Sequence, residues 1–183
     1  LKSLAPPPKP LLSFIATVTL PARTVKFVAK DFFVVNTGRK AKVKISCLGD
    51  NFKAQFLGKV EELQGETTTL RYSDLNKALV DGPIITKLGG KAKAETTLSN
   101  IASLMERQAN GKDGALLAYG CANIFYVRDI NGVLRAVFVC WNDDGWDVNA
   151  IPVGNLYSWP AGDRVFSRNS YFSLIHHWAR VFF

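Results

Sequence analysis

Two turn signals in the last third of the chain most constrain its fold, because they divide one run of strand-forming residues into three. Asn131-Gly132 and Asp143-Asp144-Gly145 are residue combinations that favour tight turns. They separate residues 122–129, 133–141 and 146–153, which are rich in β-branched and aromatic side chains. The pattern predicts a C-terminal β-meander.

The middle stretch of the meander, VLRAVFVCW (133–141), places apolar side chains on both faces of a strand. We therefore expect the central strand to be covered on both sides. Pro152 cannot donate a hydrogen bond to a sheet, so the third strand is expected to end there or to lie at an edge.

Residues 96–108 carry the clearest helical pattern in the chain. Leu98, Ile101 and Met105 share one face of a helix, and a threonine just before Leu98 can cap its start. Helix 96–108 is therefore expected to pack its apolar face against the sheet.

Other patterns are shorter. Residues 51–58 and 75–79 each predict a short helix, and residues 24–35 and 41–48 predict a β-hairpin. The predicted fold class is α+β, with an antiparallel β-sheet and C-terminal β-meander packed on helix 96–108 and on one or two short helices.

The chain is long enough for one domain with a sizeable core. We predict an extended N-terminal arm over 1–22, a single α+β domain over 23–170 and a C-terminal tail over 171–183. Residues 11–20 fit either a strand or the apolar part of a secretory signal, and the prolines before them favour a strand or arm. A cytoplasmic location is the default expectation, and secretion stays open.

Positive charge is concentrated between residues 23 and 44, although the whole chain carries a net charge of +8. Phe27, Phe32 and Phe33 lie among the cations, as in proteins that stack nucleic-acid bases on aromatic rings. A solvated basic face is the simpler interpretation. The candidate nucleic-acid-binding residues are Arg23, Lys26, Lys30, Arg39, Lys40, Lys42 and Lys44.

Signals for catalysis are missing from the sequence. No glycine-rich phosphate loop is present, and the spacing of Cys47, Cys121 and Cys140 fits no metal motif. The two histidines, His176 and His177, are adjacent, so on a strand they face opposite ways. We expect no enzyme activity, no catalytic residue, no metal and no cofactor. No apolar run has the ~18 residues that span a bilayer, so no membrane span is expected.

Several blocks resemble a family of short, uncharacterised proteins from environmental bacterial genomes. The blocks are TLRY (69–72), KAETTL (93–98), ANIFYVRD (122–129), NGVLRAV (131–137) and VFSRNS (165–170). This resemblance implies no fold or function. It does imply variable positions between constant blocks, which here fall at Cys140, Asn142, Asp143, Asp147, Asn149, Asn155, Tyr157, Ser158, Pro160 and Asp163.

Variation among Asn, Asp, Tyr and Ser near a C-terminal constant block is similar to the variable proteins of diversity-generating retroelements. That similarity implies a ligand-binding surface rewritten by adenine-directed mutagenesis. Gly162, Arg164 and Val165 match part of the closing block of such proteins, whereas their RGGSW-like motif is absent here.

All four tryptophans follow residue 140, which indicates either an aromatic corner of the core or a recognition surface. For the second interpretation we predict a non-enzymatic binding protein whose β-scaffold displays polar and aromatic side chains to a macromolecular ligand, with protein favoured and nucleic acid as the alternative. The candidate ligand-binding residues are Asn142, Asp143, Asp147, Asn149, Asn155, Tyr157, Ser158, Trp159 and Asp163.

Overall fold

The computed structural model describes residues 7–62 and 65–169 and shows an α+β fold. Its strands are β1 (Leu12–Leu20), β2 (Phe27–Val28), β3 (Ile45–Leu48), β4 (Val60–Glu61), β5 (Thr68–Leu75), β6 (Glu95–Thr96), β7 (Asn123–Arg128), β8 (Leu134–Asn142), β9 (Gly145–Pro152) and β10 (Arg164–Arg168). Its helices are α1 (Ala29–Phe32), α2 (Asp50–Phe56), α3 (Asp81–Lys87), α4 (Lys91–Ala94) and α5 (Leu98–Arg107).

Eight strands form one mixed sheet in the order β1-β5-β10-β7-β8-β9-β3, with β6 beside β7. The predicted meander is confirmed, since β7, β8 and β9 are consecutive antiparallel neighbours and β9 ends at Pro152. The sheet is not antiparallel throughout, because β10 and β6 each pair with β7 in parallel and β3 pairs with β9 in parallel.

The turn between β7 and β8 is organised by one carboxylate. Asp129 accepts hydrogen bonds from the backbone N–H groups of Asn131 and Val133, at 2.8 and 2.9 Å, and from Arg135 Nε at 3.0 Å. Gly132 has a φ of +77°, which glycine adopts without steric cost. The predicted Asn-Gly turn is therefore present, and the preceding aspartate holds it in place.

Two hydrophobic cores lie on opposite faces of the sheet, and β8 contributes to both. Val137 and Val139 pack in the first core, with α5 and the phenylalanines of α2. Ala136 packs in the second core, with α3 and α4. The prediction that this strand is covered on both sides is confirmed.

The main helix, α5, is two residues shorter at its start and one shorter at its end than the predicted 96–108. Thr97 caps it through a hydrogen bond from Asn100 N at 3.2 Å. Glu61, which the sequence did not single out, also accepts from Leu98 N and Ser99 N at 2.9 and 3.0 Å. This buried carboxylate binds N–H groups that have no partner within the helix.

The predicted hairpin of residues 24–35 and 41–48 is wrong. Residues 24–35 form β2 and helix α1 instead of one strand, and β3 pairs in parallel with β9. Among the described residues, a single antiparallel bridge between Asn36 and Ile45 is all that joins β3 to the chain before it. Phe27 and Phe33 are buried with Phe52 in the first core, and this packing overrides the local strand pattern.

The predicted helix over 75–79 is also wrong, whereas the one over 51–58 is confirmed as α2. Leu75 ends β5, and the next helix, α3, begins at Asp81. Asp81-Gly82-Pro83, which reads as a turn, forms the first turn of α3, where proline is tolerated because its missing N–H has no helical partner.

Residues 12–20 form strand β1, hydrogen-bonded to β5 at one end of the sheet, so the strand interpretation is confirmed. The domain boundaries at residues 22 and 170 stay predictions. His176 and His177, with the rest of the predicted tail, lie outside the described residues. Among the helices that are described, none has the length and apolar content needed to cross a membrane.

Candidate functional site

The candidate site lies at the end of the sheet that helices α3 and α4 do not cover. Phe138, Cys140 and Asn142 of β8 and Asp147 and Asn149 of β9 share the face that α3 and α4 cover elsewhere. Cys140 lies opposite Asp147, and Phe138 lies opposite Asn149. All five side chains are exposed or half-buried. We call these five residues the β8–β9 surface.

Hydrogen bonds fix the polar groups of the β8–β9 surface. Asp147 Oδ1 accepts from Ser46 Oγ of the neighbouring strand β3 at 2.6 Å, and Asp147 Oδ2 accepts from Asn142 Nδ2. Asn149 Oδ1 accepts from Ala150 N at 2.8 Å. A Cβ atom at Gly49 would lie 2.2 Å from Asn149 Oδ1, so a larger residue at position 49 would force this side chain to move.

An aromatic ladder connects the loop after β9 to the β8–β9 surface. The Tyr157 ring meets Trp159 edge-on with centroids 4.9 Å apart, and Trp159 meets Phe138 edge-on at 5.2 Å. These are favourable aromatic geometries. Because Phe138 belongs to the β8–β9 surface, the half-exposed Tyr157 ring lies beside that surface. Asn155 and Ser158 of the same loop are exposed.

A buried carboxylate holds this loop against the sheet. Asp81 Oδ1 accepts from Trp159 Nε1 and from Tyr126 OH, both at 2.9 Å. Burial raises the pKa of Asp81, and the hydrogen bonds from Trp159, Tyr126 and the Gly154 backbone partly offset that shift. We call Asp81, Tyr126 and Trp159 the Asp81 cluster. Nothing in the sequence indicates this cluster beyond a turn-like Asp-Gly-Pro at residues 81–83.

Two predicted ligand-binding residues lie inside the protein. Trp159 is 1% exposed and Asp163 is 3% exposed. Asp163 Oδ1 accepts from Ala122 N at 2.9 Å, and burial raises the pKa of its carboxyl group. These two side chains therefore support the fold. The seven that reach the surface are Asn142, Asp143, Asp147, Asn149, Asn155, Tyr157 and Ser158.

In the basic segment, three of the candidate cations are held in ion pairs. Arg23 Nη2 lies 2.6 Å and Lys42 Nζ 3.1 Å from the carboxylate of Glu106, and Lys26 Nζ lies 2.7 Å from Glu62. Phe27 and Phe33 are buried and Phe32 is half-buried, so these rings do not form the expected stacking platform.

The remaining cations of the segment extend toward solvent. Lys30, Arg39 and Lys40 are exposed and Lys44 is half-buried, and none of the four has an ion pair within residues 7–62 and 65–169. An open cavity of 620 Å³ in this segment is lined by none of these four cations. Its charged lining residues are Arg23, Lys26 and Lys42 together with the carboxylates Asp31 and Glu106.

Cys140, the cysteine of the β8–β9 surface, is held in its protonated form. Burial, with smaller contributions from the charges of Asp163 and Asp147, raises the pKa of the Cys140 thiol to about 12. The thiol is therefore protonated at neutral pH, whereas the thiolate is the reactive form. In the part of the chain that the structure describes, no three His, Cys, Asp or Glu side chains are grouped to hold a metal ion.

No protein-family model matches the chain, and neither the curated proteins nor the solved structures compared with it gave a match.

The raised pKa of Asp81 predicts a pH-dependent stability. A carboxyl group whose pKa is higher in the folded than in the unfolded state binds protons more tightly when folded, so protonation favours folding. The unfolding free energy of the wild type minus that of Asp81→Asn should be largest at or below pH 3.8, the ordinary pKa of an aspartate. It should fall as the pH rises through the raised pKa. Urea unfolding at a series of pH values measures it.

The exposed turn residue Asp143 provides the matched control. Asp143→Asn should keep the pH dependence of the wild type. If the unfolding free energy falls by the same amount with rising pH in the wild type and in Asp81→Asn, another group is responsible.

Proposed function

We propose that this protein is a non-enzymatic binding protein that recognises a macromolecule, with protein favoured, through the β8–β9 surface and the adjoining loop. The observation that carries the proposal is the distribution of exposure. Seven of the nine candidate side chains are accessible at one end of the sheet and in the turn and loop beside it, and the other two are buried.

The chemistry of this region suits recognition. Asn, Asp and Ser side chains offer adaptable hydrogen bonds, and a partly exposed tyrosine offers contact area at a low cost in conformational entropy. Tyr157 takes the role of the aromatic contact residue, since Trp159 is buried. The strands beneath are packed in two cores, so the polar groups are held in place before a ligand arrives.

Retroelement-driven diversification of these positions is part of the proposal. Changes at exposed positions leave the cores intact, whereas changes at Trp159 or Asp163 reach buried hydrogen bonds. Variation is therefore physically tolerable at the seven accessible positions and costly at the other two.

The genomic neighbourhood checks the diversification directly. We expect a near-copy of the codons for residues 140–170, differing only at adenines, beside a reverse-transcriptase gene. Sequencing of the flanking DNA measures this. A locus that has neither feature removes the retroelement part of the proposal and leaves the binding surface untouched.

Neighbouring substitutions separate display residues from supporting residues. Asn155→Ala and Ser158→Ala should change the unfolding free energy by less than about 0.5 kcal/mol, because the side chains are exposed. Trp159→Ala should cost about 3–5 kcal/mol, because it removes a buried ring and leaves Asp81 without one donor. Chemical denaturation measures all three.

A selection experiment tests binding itself. Variants randomised at the seven accessible positions, displayed on yeast, should yield binders to a purified test protein such as lysozyme. A control library randomised at exposed residues of α3 and α4 (Gly82, Thr86, Lys91, Ala92 and Lys93) should yield none. Equal success of both libraries, or failure of the first, contradicts a surface suited to recognition.

The basic segment carries the alternative proposal, a nucleic-acid-binding module. The observation that favours it is the group of exposed cations Lys30, Arg39 and Lys40, which have no ion pair within residues 7–62 and 65–169. Replacing Lys30, Arg39 and Lys40 by Gln should weaken oligonucleotide binding and reduce the dependence of log affinity on log salt by about 2–3. Fluorescence anisotropy with single-stranded and duplex DNA across a salt series measures this.

Three exposed lysines elsewhere give a charge-matched control. Lys91→Gln, Lys93→Gln and Lys112→Gln together should leave the affinity closer to that of the wild type. Binding that is absent at low salt, or that both triple variants weaken equally, argues against a specific role for the segment.

A further inference from the structure

The edge of the sheet formed by β1 has several features of a docking site. β1 lies at one end of the sheet, and among the described strands its only neighbour is β5. Its nine residues, LSFIATVTL, contain no charge and no proline, the usual protections of an edge strand. Phe14 and Ile15 are 55% and 45% exposed.

Hydrogen bonds show which backbone groups of β1 face outward. Thr19 pairs with Thr69 of β5, but the Thr69 carbonyl accepts from Asn169 N on the opposite side of β5. The pair is therefore not joined by backbone hydrogen bonds, and the N–H and C=O of Thr19 face away from β5. Because this orientation alternates along a strand, Thr17 also faces outward and Val18 faces β5.

A positively charged cavity adjoins the same strand. It has a volume of 190 Å³, and its lining includes Leu12 and Phe14 of β1 and Leu88 after α3. Arg71 and Lys87 also line it, and no carboxylate does so among the described residues. The Arg71 guanidinium lies 4.8 Å from the centre of the Phe14 ring, which orients its charge beside the exposed edge.

We propose that the β1 edge binds an extended peptide segment with acidic side chains, which adds to the sheet as a further strand. The outward backbone groups of β1 supply hydrogen bonds, apart from the Thr19 carbonyl, which already accepts from Arg107 Nη2, and the cavity with Arg71 and Lys87 accepts a carboxylate. A second copy of this chain is a poorer occupant, because it brings the same cations and its own net charge of +8 to the contact. This site is separate from the β8–β9 surface.

A fluorescein-labelled peptide of alternating glutamate and valine is the probe, and an alternating lysine and valine peptide is its control. Anisotropy should show saturable binding of the acidic peptide to the full chain and no binding of the basic one. Thr17→Pro removes an outward N–H and should weaken binding at least about tenfold while the protein stays folded. Val18→Pro removes an inward N–H and should lower the melting temperature.

A charge variant makes the test independent of the proline. Arg71→Gln with Lys87→Gln should weaken the acidic peptide at least about tenfold, whereas Lys91→Gln with Lys93→Gln removes the same charge elsewhere and should not. If Thr17→Pro does not fold, this pair of double variants decides.

Three outcomes overturn the proposal. The first is no saturable binding at low salt, and the second is binding that folded Thr17→Pro or the Arg71/Lys87 variant leaves unchanged. The third is a dimer in sedimentation velocity that Thr17→Pro dissociates without any binding of the acidic peptide. That result assigns the edge to a second copy of the chain.

Discussion

The rest of the structure depends on the burial of β8 on both of its faces. Val137 and Val139 belong to the first core and Ala136 to the second, so two helical layers pack on one strand. Side chains alternate along a strand, so a slip of β9 by one residue against β8 would exchange its buried side chains for its outward ones. The burial of Trp146 and Val148 therefore fixes the outward direction of Asp147 and Asn149.

The two layers cover the sheet unequally, and this inequality creates the candidate site. The first core extends to β9 and β3 through Trp146 and Ile45, whereas the helices of the second core pack on β5, β10, β7 and the start of β8. The uncovered end keeps Phe138 and Cys140 half-buried, and the loop after β9 closes over part of it. Asp81 makes this closure specific, because a buried carboxylate is stable only where donors such as Trp159 Nε1 meet it.

The two edge strands of the main sheet differ in how much backbone they offer to a further strand. β3 is four residues long and offers little backbone to a further strand, whereas β1 is nine residues long and uncharged. Outward N–H and C=O groups need hydrogen-bond partners, and the Thr19 carbonyl has one in Arg107 Nη2 at 2.6 Å. The remainder of β1 presents its outward groups beside Arg71 and Lys87, which gives the edge both its affinity for a strand and its preference in charge.

The sequence by itself determined the elements whose cause is local. The meander follows from turn residues and strand periodicity, and α5 follows from its apolar stripe and its threonine cap, so the class α+β was predictable. The elements set by distant contacts were not. The hairpin expected over 24–35 and 41–48 gave way to burial of Phe27 and Phe33, and nothing local indicates that β3 pairs in parallel with β9.

The candidate site divides in the same way. Sequence composition placed polar and aromatic residues together at 142–163, and seven of the nine candidates reach the surface. Only the tertiary structure decided that Trp159 and Asp163 are inside, because their exposure depends on Asp81 and Ala122, which are distant in sequence. Residue type and spacing fix hydrogen-bonding capacity and the face of a strand, whereas burial depends on which remote segment packs there.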